Sequence, residues 1–180
     1  MTTFFISHTD LDGLSACALL QFFLRNQAGE RHLVAPNKVD DTVREILAVA
    51  HKDDSLYITD MAPSEDLLPE IDEKFKTWRI YDHHSSRNIT GTEYKKHIVS
   101  SGDADLSATG LVLKDFNDST WKNENSVNGE FSNYLKKYVK YVNDYDTWNW
   151  QLDNDYPADD YRNVEMLNLM FWFYPPKAPC

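Results

Sequence analysis

Apolar residues come in short runs along the first hundred positions, and each run is followed by a stretch of helical period. Phe4-Phe5-Ile6 opens the pattern, and Thr2–Ile6 predicts a strand. Leu14, Cys17, Ala18 and Phe22 recur at three- and four-residue spacing, which predicts a helix over Leu14–Arg25 with those residues along one side. His32–Ala35 predicts a second short strand, and Val43, Ile46, Leu47 and Ala50 a second helix. Ser55–Thr59 predicts a strand that ends at Asp60. Pro63 then suits the first turn of a helix, with Glu65 and Asp66 at its positive end. Trp78–Tyr81 predicts a further strand, and it runs straight into Asp82-His83-His84. Alternation of this kind predicts an α/β fold, a mainly parallel sheet with helices on both faces.

Downstream the order loosens. Ile98 and Val99 suit a short strand, and Ser107–Phe116 reads as a helix through Leu111, Val112 and Phe116. Residues 117–129 are rich in Asn, Ser and Asp and predict a surface loop. Helical period resumes over Phe131–Val142, where Lys136, Lys137 and Lys140 read as a solvated face. Val164 to Tyr174 is heavily apolar and aromatic before Pro175 and Pro176. Such a run is expected to dock, on this domain, on a second copy or on a further domain.

The net charge of -11 and the 42% hydrophobic content describe an acidic, globular chain with an ordinary core. That charge argues against a large non-specific nucleic-acid footprint, though not against a nucleotide substrate held through cations. No signal peptide and no bilayer-length run is evident, so no membrane partner is expected. Cys17 reads as a small core residue and Cys180 stands last, which gives no disulfide framework and makes a reducing cytoplasm the default location.

The chemistry sits where the predicted strands end. His8, Asp10 and Asp12 alternate directly after the first apolar run, so a strand there points all three the same way as the chain leaves the sheet. Imidazole mixed with carboxylate suits Mn²⁺, Fe²⁺ or Zn²⁺ better than Ca²⁺. Gly13 lets the backbone turn tightly into the following helix. Asp60 and Asp82-His83-His84 end two more strands, and Ser107-Ala108-Thr109-Gly110 and Val142-Asn143-Asp144 complete the set. Each alone suits a cap or an Asx turn; together they fall on the sheet edge where open α/β sheets bind ligands.

Taken in order from Phe4 to Asp144, these motifs resemble the DHH phosphoesterase superfamily, which includes RecJ-type exonucleases, nanoRNases, cyclic-dinucleotide phosphodiesterases and family II pyrophosphatases. The resemblance implies a hydrolase of phosphoester bonds that uses two ions, usually Mn²⁺ with Mg²⁺ or Co²⁺ as substitutes, about 3.5–4 Å apart. It implies that His8 and Asp10 hold the first ion and Asp12 the second, with Asp60 bridging. His83 and Asp144 would complete the second site, with Asp146 reading as a local structural residue. His84 would face the substrate phosphate, Asp82 would orient the histidine pair, and Arg87 is a candidate phosphate contact. Trp148 and Trp150 are candidates to stack on a base, although core packing is the default for Trp.

The expected substrate is a short oligonucleotide or small nucleotide. The alternatives are a RecJ-like single-strand exonuclease acting on single-stranded nucleic acid and a non-catalytic regulator that binds metal and nucleotide. Most nucleotide-cleaving relatives carry a glycine-rich second domain, whereas this sequence has 6 glycines and no such segment. Residues 1–150 are therefore expected to form the metal-dependent domain, and 151–180 a connector or the truncated start of a second domain. An oligomer through the aromatic C-terminal segment is a further expectation.

Overall fold

The computed structural model describes residues 1–25, 28–84, 92–100, 106–118 and 129–173. Five parallel strands form one sheet: β1 (Thr3–Ser7), β2 (Glu30–Leu33), β3 (Ser55–Thr59), β4 (Thr77–Tyr81) and β5 (Ile98–Val99). Their spatial order is β2-β1-β3-β4-β5. The helices are α1 (Leu11–Phe23), α2 (Val39–Val49), α3 (Leu68–Lys74), α4 (Ala108–Asp118), α5 (Gly129–Asp146), α6 (Asn149–Leu152) and α7 (Ala158–Phe173).

All five residues of β1 and of β3 are buried, as expected of central strands covered on both faces. Strand alternation then sorts their side chains. Phe4, Ile6, Leu56, Ile58, Trp78 and Ile80 pack with Val43 and Ile46 of α2 and Leu68 and Ile71 of α3. Phe5, Tyr57 and Tyr81 face Leu20 of α1, Leu111 of α4 and Val139 of α5. Phe5 and Tyr57, paired across β1 and β3, stack with ring centroids 5.6 Å apart. The expected α/β fold with helices on both faces is the observed one.

Several local expectations shift. Helix α1 starts at Leu11 rather than Leu14, because Asp10 caps it by accepting the Gly13 N–H at 2.9 Å. Its buried residues also differ from the expected stripe: Ala16, Cys17, Leu19 and Leu20 are inside, whereas Ala18 and Phe22 are exposed. The helix touches the sheet, α4 and α5, so more than one face is covered. β2 lies two residues earlier than expected, since it is a half-exposed edge strand with a weak apolar signature. Pro63 precedes a 3₁₀ turn at Glu65–Leu67, and Pro69 is the proline in the first turn of α3. Helix α5 runs on to Asp146, four residues beyond the expected end. Asn117 and Asp118 end α4 rather than beginning a loop, and most of the expected polar loop lies outside the described residues. No helix among the described residues is long and apolar enough to cross a membrane.

The sheet runs from β1 outward to β2, then returns to place β3 on the other side of β1. Neighbouring crossovers therefore leave β1 and β3 toward opposite faces, which makes the C-terminal ends of these strands a topological switch point. His8 follows β1, Asp60 follows β3 and Asp82 follows β4, so the fold delivers all three motifs to that one edge.

Candidate metal centre

Asp60 is the centre of the cluster. It is buried, and its backbone φ of 63° lies in the left-handed region, which costs an L-residue about 1–2 kcal/mol but is tolerated best by Asn and Asp. Its N–H donates to the Tyr81 carbonyl at 2.8 Å, which ties the turn after β3 to the end of β4. The carboxylate then spans two groups. Oδ2 lies 3.2 Å from His8 Nδ1, and Oδ1 lies 3.2 Å from His83 Nε2.

On the first side, His8 Nδ1 is also 2.6 Å from Asp10 Oδ2. On the other, His83 Nε2 is 3.2 Å from Asp146 Oδ2 and 3.9 Å from Asp12 Oδ2. Within single residues' reach the structure thus contains His8–Asp10–Asp60, Asp60–His83–His84 and Asp12–His83–Asp146, three overlapping donor groups that could hold cations.

Gly13 and α4 set this geometry from behind. A Cβ on Gly13 would stand 2.7 Å from the His8 carbonyl oxygen, so only glycine lets α1 approach the end of β1 this closely. Asp12 in the first turn of α1 is fixed by the N-terminus of α4. Its Oδ2 accepts the Ala108 N–H at 2.6 Å, its Oδ1 accepts the Thr109 N–H at 2.9 Å, and Thr109 Oγ1 donates to its carbonyl at 3.0 Å. Ser107 is held in turn by Asn143, whose Oδ1 accepts the Ser107 N–H at 2.9 Å. The Ser-Ala-Thr-Gly motif therefore positions a carboxylate.

Electrostatically the cluster lacks positive charge. Burial pushes the Asp12 carboxyl up to about 7, with Asp60 and Asp146 adding to the rise. Asp146 is raised to about 6, again chiefly by burial. The side-chain contact with Asp10, then that with Asp60, raises the His8 imidazole to about 10. Burial pulls His83 down, but Asp60, Asp146 and Asp12 outweigh it and hold it at about 9. Burial also opposes the Asp60 charge, yet His8 and His83 keep its carboxyl well below the usual range. Protons on the histidines thus supply the charge that the carboxylates demand.

They do not satisfy the donors. Asp60 Oδ1, His83 Nε2 and Asp146 Oδ2 are all buried without a hydrogen bond, since their 3.2 Å approaches lack hydrogen-bond geometry. Three orphaned atoms of the right type, two carboxylate oxygens each 3.2 Å from His83 Nε2, fit a divalent cation.

His84 is placed differently. Asp82 Oδ1 accepts from its backbone N–H at 3.1 Å and lies 2.8 Å from its Nδ1, which fixes the ring. The side chain is half exposed, and the Asp82 contact raises its pKa.

Asp144, expected as a ligand, does not join the cluster. Its Oδ2 accepts from Lys140 at 2.6 Å and from the Tyr156 hydroxyl. Asp146 occupies the expected place instead, and the sequence carried a signal for it. Val139, Val142 and Asp146 are spaced three and four apart on one helical face, whereas Asp144 is about 200° around the helix from Val142. Trp150 is buried between Tyr145 and Tyr161, and Trp148 is exposed. Arg87 lies outside the described residues.

No protein-family model and no curated protein sequence matches the chain. Solved structures that share its fold include two of note. One is an uncharacterised protein from Helicobacter pylori G27, at a TM-score of 0.66 and 20% identity, aligned over 95% of this chain and 50% of that one. The other is exonuclease RecJ bound to manganese, at a TM-score of 0.50 and 14% identity, over 93% of this chain and 43% of that one. The chain spans about half the length of either protein, and at these identities the likeness establishes a common α/β fold.

Proposed function

We propose that this chain is a divalent-metal-dependent phosphodiesterase, acting on short oligonucleotides or small nucleotides with two ions, Mn²⁺ foremost. The observation that carries the reading is the Asp60 carboxylate, which offers one oxygen to His8 and the other to His83 at 3.2 Å each. A carboxylate so placed would serve two cation sites at once. His8 and Asp10 would hold one ion, and Asp12, His83 and Asp146 the other. The mixture of imidazole and carboxylate favours Mn²⁺ or Co²⁺ over Ca²⁺, and RecJ, which shares the fold, was solved with manganese. Bound ions would supply Lewis-acid polarisation of the phosphoryl group and an activated water.

The remaining work falls to the chain. Asp82 holds the His84 ring and raises its pKa, so a protonated Nε2 can donate to a phosphoryl oxygen as charge builds there. The amides of Ala108 and Thr109 fix both oxygens of Asp12, which keeps that ligand from rotating during turnover. Asp10 and His84 are partly exposed, so a substrate can reach the cluster from outside the strand ends.

A single-strand exonuclease is the second reading, favoured by the fold shared with RecJ; the net charge of -11 favours shorter substrates. We assign the chemistry to residues 1–150 and read 151–180 as a connector.

The test is Mn²⁺-dependent hydrolysis of pApA, cyclic di-AMP, pyrophosphate and a 5′-phosphorylated single-strand DNA, with EDTA and Asp60→Asn as controls. Turnover of a diester that both controls abolish is the expected result. Tight Mn²⁺ binding without turnover of any member would mark a regulatory domain instead.

A further inference from the structure

Trp148 stands two residues beyond Asp146, between α5 and α6, at a position whose backbone asks for a different residue. Its φ of 62° and ψ of 10° are left-handed. Its N–H donates to the Tyr145 carbonyl at 3.3 Å as α5 ends, a place where glycine or asparagine is favoured. Its own carbonyl accepts from Gln151 at 2.9 Å and Leu152 at 3.1 Å as α6 begins, a place that favours Ser, Thr, Asp or Asn. The indole makes no capping bond and remains 59% exposed. Among the described residues it has no ring or hydrogen-bond partner.

Trp150 shows what a structural tryptophan looks like in the same segment. It is 7% exposed, with ring centroids 6.5 Å from Tyr145 and 4.9 Å from Tyr161. Trp148 therefore contributes neither turn chemistry nor core. A residue that contradicts its local backbone without serving the core points to a use outside the fold. Its place in the chain points to that use, because Asp146, two residues before it, lies 3.2 Å from His83 in the Asp60 cluster.

We propose that Trp148 is a stacking platform for the nucleobase of a nucleotide whose phosphate occupies the Asp60 cluster, an inference that rests on the phosphodiesterase reading. A neutral π-face lets an acidic chain hold a nucleotide without a basic groove. It also tolerates any base, since every base offers a face.

Binding of AMP and of ribose 5-phosphate to the Mn²⁺-loaded full chain, measured by calorimetry, tests this without turnover. The wild type should prefer AMP by about 10- to 100-fold, the range expected of one base–aromatic stack. Trp148→Gly accepts the left-handed backbone, so folding is not at stake. It should bring the two affinities within about threefold while leaving ribose 5-phosphate unchanged, and Trp148→Phe should keep most of the preference. A preference that survives in Trp148→Gly, or a wild type with none, overturns the platform. If the preference is present and Trp148-dependent but no diester is hydrolysed, the phosphodiesterase reading falls and the platform stands.

Discussion

Two groups of acids lie near the C-terminal end of α5, and they differ in how their charge is answered. Around Lys140, Asp144 accepts from the ammonium and from Tyr156, while Asp160 accepts from Tyr141 at 2.9 Å and lies 3.2 Å from Lys140. Burial works against the Lys140 cation, but Asp144, Tyr156 and Asp160 raise its pKa well above the usual value. None of these atoms is orphaned. Around Asp60, by contrast, Asp60, His83 and Asp146 each leave a buried atom without a hydrogen bond. The first group is a closed network that ties α5 to α7. The second leaves donor atoms open, as a cation site requires. Converging carboxylates are by themselves no sign of a metal site; orphaned donors among them are the further observation that fits a cation.

The largest effect that separates the two groups is on turnover. Asp60→Asn or Asp146→Asn should lower Mn²⁺-dependent hydrolysis by about 10³-fold, the consequence of losing several kcal/mol of transition-state stabilisation. Asp144→Asn should leave hydrolysis within about threefold and instead lower stability by about 1.5–3 kcal/mol, the usual range for a hydrogen bond to a charged group. Steady-state rates beside denaturant titrations decide this. A collapse of Mn²⁺ affinity in Asp144→Asn would restore it as a ligand and erase the contrast.

Protons provide the next test. In metal-free protein His8 and His83 titrate near 10 and 9, and Asp12 and Asp146 near 7 and 6, all above their ordinary values. From about pH 4 to pH 10 the native state therefore holds more protons than the unfolded chain, so metal-free stability should fall as pH rises through this window. Asp60 has the opposite sign, and its contribution is lost only on strong acidification. Mn²⁺ binding displaces the histidine protons, so affinity should rise about tenfold per pH unit for each proton released. Unfolding curves and calorimetry in two buffers measure both trends. A metal-free stability that climbs from pH 6 to pH 9 would contradict the reading of the cluster as short of positive charge.

A smaller effect should follow from Gly13→Ala. The added methyl meets the His8 carbonyl oxygen at 2.7 Å and the His8 Cβ at 2.8 Å, so α1 must shift at a cost of about 1–3 kcal/mol. Because the contact is with a cluster residue, Mn²⁺ affinity should fall together with thermal stability. A loss of stability alone would separate Gly13 from the site.

The same contrast explains what the sequence made legible. His8, Asp10, Asp12, Asp60, His83 and His84 stood out because each follows an apolar run that is a central strand, and strand ends in a parallel sheet converge. Asp144 and Asp146 lie on a helix, where two residues of spacing change the face, and following Val142 directly along the chain picked Asp144, which sits with Lys140 and Tyr156, whereas Asp146 faces His83. The burial of α1 was misread for a related reason. A helix pressed against a sheet and two other helices loses its single apolar stripe, so Ala16 and Leu19 carry no periodic signature. The role of Asn143 and the α4 N-terminus in fixing Asp12 was hidden because it is made by backbone amides far apart in sequence.

Anomalous scattering at the manganese edge, from crystals grown with Mn²⁺, tests the central claim most directly. The account predicts two peaks flanking Asp60, one against His8 and Asp10 and the other against Asp12, His83 and Asp146. A single peak at the Lys140–Asp144 network, or none beside Asp60, would contradict it.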